Sequence, residues 1–197
     1  MTPDNLILTW FHVDMASAFS DMLFRWFSSK YYFSFPILLT LLLYAVQKQG
    51  WRGIFWWFSL ILVIGLGDQL GNQLKELFSE VRPCTSHEAF QGLRADDICT
   101  YSTKGMPSNH AINFFTATLF VILTRPQWHV WHSFLLICSI LAGLSRIYLA
   151  KHFPSQVIAG SFIGTYIGTL TALFYHHRKW SSTLLHIKNI PILRKEP

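Results

Sequence analysis

Long apolar blocks alternate with short polar connections along this 197-residue chain. Five blocks are hydrophobic enough to cross a bilayer: Tyr32–Gln47, Gly53–Leu70, Ala111–Thr124, Val130–Leu149 and Val157–Tyr175. A spanning helix needs about 20 residues, so the first and third are expected to extend into their polar flanks. Lys48–Arg52 and Arg125–His129 are tight turns between neighbouring spans, whereas the polar stretch Gly71–His110 separates the second from the third. The N-terminal stretch Leu6–Phe27 is apolar and aromatic but interrupted by Asp14, Asp21 and Arg25. Charges are costly at the bilayer centre. Asp14 and Asp21, seven apart, would share one helical face, and the stretch reads as an amphipathic interfacial helix, with a sixth span as the alternative. The expected fold is therefore an all-α, polytopic transmembrane bundle forming one domain over residues 1–197. Residues 1–30 are its amphipathic segment, 71–110 a loop and 178–197 a basic tail.

Composition sharpens this reading. The chain is 51% hydrophobic and only 13% charged, about half the charge of an ordinary soluble domain. The same numbers exclude intrinsic disorder, which requires low hydrophobicity and high charge. Met1–Trp10 carries no Lys or Arg and no cleavage-site pattern follows, so the spans themselves are expected to direct insertion. The net charge of +6 is not gathered into a nucleic-acid-binding patch.

Span alternation distributes the charge instead. The side holding Lys48–Arg52, Arg125 and the tail has eight basic residues and only Glu196 as an acid, whereas the opposite side has eight basic residues and nine acids. Trp51, Trp56, Trp57, Trp128, Trp131 and Trp180 cluster at the first side as an aromatic belt would. That side is expected to be cytoplasmic, with the tail's Arg178, Lys179, Lys188, Arg194 and Lys195 contacting anionic lipid headgroups. Cys84 and Cys99 fall in the outward loop, where an oxidising compartment would let them pair. Cys138 lies inside the fourth span.

Three polar clusters land on the outward side by span counting: Lys75-x6-Arg82-Pro83, Pro107-Ser108-Asn109-His110, and Ser145-Arg146-x5-His152. Lys75 or Arg82 alone would read as a cation snorkelling to the membrane surface. Together the clusters supply three cations, two of them guanidinium forks suited to phosphate oxygens. They add a helix N-terminus able to offer backbone N–H groups to an anion, and two imidazoles able to exchange protons near neutral pH. The combination describes a site for phosphoryl transfer. No carboxylate cluster suited to Mg²⁺ accompanies it, so no cofactor and no metal is expected.

From Lys75 to about Gly160 this three-part pattern resembles the signature of the type 2 phosphatidic acid phosphatase family. The resemblance implies a membrane-embedded lipid phosphatase. It makes His152 the nucleophile that forms a phosphohistidine, and His110 the acid and then the base. Lys75, Arg82 and Arg146 would bind phosphate, helped by Ser108, Asn109 and Ser145. Undecaprenyl pyrophosphate is the first substrate expected, with lipid A or phosphatidylglycerol phosphate next, at the outer face of a bacterial inner membrane. Asn109 stands where the family usually has Gly, and Gln156 where it has the Asp that orients the nucleophile. Asp68 and Asp96-Asp97 are candidate substitutes for that acid. A phosphotransferase using the same site, or a lipid-phosphate binder without catalysis, are the alternative functions.

Overall fold

The computed structural model describes residues 2–85 and 104–188, with side chains up to His177. Its helices are α1 (Pro3–Thr9), α2 (Ala18–Ser28), α3 (Phe35–Gln49), α4 (Trp51–Phe78), α5 (Asn109–Thr124), α6 (His129–Tyr148) and α7 (Pro154–Lys188). Single π-helical turns, Trp10–Asp14 and Lys30–Ser34, continue α1 and precede α3. By length and composition α4, α6 and α7 can each cross a membrane. A fourth crossing is available if α2 and α3, bent by 71° at their junction, act as one span. α5 has 16 residues, about 24 Å at the helical rise, and packs against α4, α6 and α7 at the centre of the bundle.

The N-terminal stretch is not the single helix expected. Ser17 accepts a hydrogen bond from Ser20 N and starts α2 anew, because an N-cap of this kind outcompetes continuation through the preceding turn. Asp14 and Asp21 therefore lie on different elements and share no face. The segment is anchored rather than merely lying on the bundle. Leu8, Phe24 and Phe27 are buried, and His12 Nδ1–H donates to Tyr148 O at 2.7 Å. The Tyr148 hydroxyl donates to Asp21, and Asp4 accepts from the backbone and hydroxyl of Ser155 at the start of α7.

The aromatic belt also needs correction. Trp56 and Trp128 are 0% and 4% exposed and belong to the core, whereas Trp51 is 77% exposed. Trp56 Nε1 donates to Thr124 Oγ1, and the Arg125 guanidinium stacks 4.8 Å from the Trp56 ring. Burial of these rings is favourable because a cation and a hydroxyl occupy their polar edge and face. His132 and His176 bond to Arg125 O and Leu123 O.

What positions the opposite end is a ridge of glycines on α7. A Cβ built on Gly160, Gly164 or Gly168 would come within 2.6 Å of the carbonyl of Ser108, just before α5, or of Ile112 or Thr116 within it. The spacing of four puts all three glycines on one face, the small-residue packing that lets membrane helices approach closely. Gly164→Val forces its side chain into the Ile112 carbonyl, 2.4 Å from the Cβ position. Overpacking costs about 1–3 kcal/mol, so the thermal unfolding midpoint in detergent should fall clearly. Gly65→Ala, with open space around its Cβ, should leave it unchanged or raise it.

Candidate active site

The α5–α7 contact brings the second and third clusters together. Ser108, the residue before α5, donates its backbone N–H to Gln156 O at 3.1 Å. The third cluster's spacing has a local cause. Ala150 adopts a left-handed conformation, φ 49°, which ends α6 and turns the chain back. Lys151 and His152 N–H then both donate to Arg146 O, at 2.9 and 3.2 Å. Pro154 opens α7, and Gln156 Oε1 reaches back to accept Phe153 N–H at 3.2 Å, as the third residue of a capping box does.

His152 is 3% exposed. Its Nδ1–H donates to Gly105 O at 2.8 Å and lies 3.2 Å from Gln156 Oε1. Carbonyl oxygens only accept, so the proton sits on Nδ1 and Nε2 presents a lone pair. Burial, then the charges of Arg146, Arg82 and Lys75, hold the imidazole well below its ordinary pKa, and the Gln156 hydrogen bond opposes them only partly. Near neutral pH the ring is neutral.

Three cations converge near His152. Lys75 and Arg146 are 8% and 9% exposed, and Arg146 lies within electrostatic reach of Lys75, His110 and His152 alike. Arg82 braces against Lys104 O at 3.4 Å. Among the described residues, the buried Ser108 Oγ meets no hydrogen-bond partner. The Ser145 hydroxyl is also buried, but donates its one proton to Ala142 O. The Asn109 side chain is directed at α4, donating to Asp68 Oδ1 at 3.1 Å and Asn72 Oδ1 at 2.7 Å. Asn113 also donates to Asp68. The bonds of Asp68 thus go to these three asparagines, and it does not replace the orienting acid at His152. Asp96, Asp97 and Cys99 lie outside the described residues. Cys84 is disulfide-bonded, and Cys138 is a free, buried thiol.

Three contributors have no signal in the sequence pattern. The Ser28 carbonyl accepts His110 Nε2–H at 3.3 Å, and its hydroxyl bonds to Arg146, so the end of α2 forms one wall of the pocket. Gly105 supplies a carbonyl to His152 where no side chain fits, since a Cβ would lie 2.6 Å from Gln156 Nε2. Glu80 Oε2 takes a hydrogen bond from Gln156 Nε2 at 3.3 Å. Ser28 lies in the segment read as interfacial, and Glu80 in the unpatterned gap between Lys75 and Arg82.

The family model described as the PAP2 superfamily matches residues 56–180. The lipid A 4'-phosphatase of Bacteroides thetaiotaomicron is 26% identical over 149 residues, 72% of this chain and 64% of that protein. The undecaprenyl-diphosphatase of Sulfolobus acidocaldarius is 30% identical over 148 residues, 74% of this chain and 66% of that protein. The chain thus spans just under two thirds of the length of these curated relatives. The crystal structure of Aquifex aeolicus LpxE superposes with a TM-score of 0.64 at 24% identity, covering 87% of this chain and 95% of that one. That of the Bacillus subtilis PAP2-type phosphatidylglycerolphosphate phosphatase gives 0.65 at 19% identity, covering 88% and 85%. A match to well over half of the chain, in a helical bundle of the same fold, places this integral membrane protein in the PAP2 superfamily.

Proposed function

We propose that the protein is a membrane phosphatase that hydrolyses a lipid phosphate or diphosphate at the outward face of a bacterial inner membrane. The observation that carries this reading is His152, neutral, with Nδ1–H engaged and Nε2 unprotonated, beside the converging cations Lys75, Arg82 and Arg146. In the proposed cycle the Nε2 lone pair forms a bond to phosphorus while the P–O bond to the leaving group breaks. The leaving oxygen keeps that electron pair and takes a proton from His110 in its imidazolium form, which leaves the neutral imidazole. Water, deprotonated by His110, then attacks phosphorus, the N–P bond breaks, and its electrons return to His152. The three cations offset charge on the equatorial oxygens throughout, the part that dominates phosphoryl transfer.

Undecaprenyl diphosphate is our first substrate, followed by lipid A and phosphatidylglycerol phosphate. All three hold a phosphate at the headgroup boundary while their tails remain in the bilayer. The basic tail, on the opposite face, would bind anionic headgroups. Purified protein should release inorganic phosphate from at least one member of such a lipid panel, with turnover surviving EDTA. Binding of the lipids without phosphate release would instead favour a non-catalytic binder, and phosphate recovered on a second lipid a phosphotransferase.

A further inference from the structure

Gln156 is 1% exposed and every polar atom of its amide is engaged. Oε1 faces His152 Nδ1–H and Phe153 N–H, both at 3.2 Å. Nε2 donates to Val81 O at 2.9 Å and to Glu80 Oε2 at 3.3 Å. Rotating the amide by 180° would set donor against donor on one side and acceptor against acceptor on the other, so the network selects this orientation. Glu80 is held in register by its own backbone, since Gly105 N–H donates to Glu80 O at 2.7 Å, and the next carbonyl, Gly105 O, receives His152. The chain from the imidazole therefore runs His152, Gln156, Glu80 and ends on a carboxylate. The other described acids nearby are engaged elsewhere, Glu76 with Lys104 and Asp68 with its asparagines.

We propose that Glu80 is a positioning residue for the nucleophile, delivering through the Gln156 amide the negative charge that an aspartate at 156 would deliver directly. Attack through Nε2 leaves a positive charge on the ring, and the Nδ1–H bond to Gln156 strengthens as that charge grows. A carboxylate on the far side of the amide polarises it, enriching Oε1 as an acceptor. No proton moves along the chain; Nδ1 keeps its hydrogen through both steps. The role is analogous to that of the outer partners that orient metal-bound histidines, whose loss costs about 10–100-fold.

The inference rests on the proposed reading of His152 as nucleophile. The test compares wild type with Glu80→Gln, Glu80→Asp, Gln156→Asp and the double variant Glu80→Gln/Gln156→Asp, full-length and in detergent. It reads kcat and KM on the lipid phosphate turned over, and the affinity for orthovanadate, which mimics phosphorus bonded to the nucleophile. Glu80→Gln should lower kcat and vanadate affinity about tenfold or more, with KM and the thermal midpoint little changed, while Glu80→Asp keeps most of both. In the Gln156→Asp background, where the acid touches the imidazole itself, Glu80→Gln should cost less than about twofold, the non-additivity expected of one shared interaction. Glu80→Gln equal to wild type, or equally damaging in both backgrounds, overturns the relay. A wild type that neither turns over lipid phosphate nor binds vanadate overturns the phosphate-site reading beneath it.

Discussion

His152→Ala should abolish phosphate release, lowering kcat by about 10⁴-fold or more, as removal of a covalent nucleophile does. That is a loss of roughly 5 kcal/mol or more of transition-state stabilisation. The side chain fills a buried position, so part of any effect could come from packing. His152→Asn separates the two, because its short amide can still bond to Gly105 O or Gln156 but has no lone pair to give to phosphorus. It should be as inactive as the alanine variant while unfolding close to wild type. The pH dependence carries the same argument. Burial and the charges of Arg146, Arg82 and Lys75 depress the imidazole's pKa, so acidification must go below the ordinary histidine value, about 6.5, before the nucleophile is protonated. The acid limb of kcat/KM, which reports the free enzyme, should therefore lie below pH ~6.5 once the substrate's own ionisation is divided out. An acid limb at the ordinary value, or residual turnover in His152→Ala within a hundredfold of wild type, would remove His152 from the nucleophilic role.

The features legible in the sequence share a physical origin: they are local. Hydrophobic blocks read as helices because bilayer-length apolar runs leave the backbone no alternative way to satisfy its hydrogen bonds. The spacings Pro107-Ser108-x-His110 and Ser145-Arg146-x5-His152 lie within single helix ends, such as the turn that bonds Lys151 and His152 N–H to Arg146 O. What escaped the reading depends on contacts between distant segments. Ser28 reaches Arg146 across 118 residues, and Glu80 reaches Gln156 across 76. Neither position differs in residue type from ordinary surface serines and glutamates. The glycines of α7 stand four residues apart, but that spacing does not name the partner that approaches them, the backbone carbonyls of Ser108, Ile112 and Thr116. Trp56 and Trp128 mislead for the opposite reason. Tryptophans near a charged turn fit an interfacial belt on average, whereas here Arg125 folds back over the Trp56 ring and lets it be buried.

His110→Ala should separate the two halves of the catalytic cycle. In the first half His110 gives a proton to the leaving oxygen. An alkyl or phosphate leaving group needs that proton, so release from a lipid substrate should fall about 10²–10⁴-fold, the range general acid catalysis contributes. p-Nitrophenyl phosphate needs no such help, because its phenolate is stable unprotonated, and the first turnover should proceed within about tenfold of wild type. The second half still requires His110, now as the base that activates water, so the phosphoenzyme should persist. With p-nitrophenyl phosphate the variant should show a burst of nitrophenolate close to one equivalent, followed by a slow steady state, and phosphate should be recoverable on His152. With the lipid no burst should appear, since the first step is then the slow one. In the resting site His110 Nε2–H is held by the Ser28 carbonyl, whose hydroxyl bonds to Arg146, so the imidazole stands beside the phosphate-binding cation. A first turnover slowed equally for both substrates would mean that His110 binds phosphate rather than protonating the leaving group, and a variant that turns over p-nitrophenyl phosphate without a burst, at close to the wild-type steady rate, would assign the activation of water to another residue.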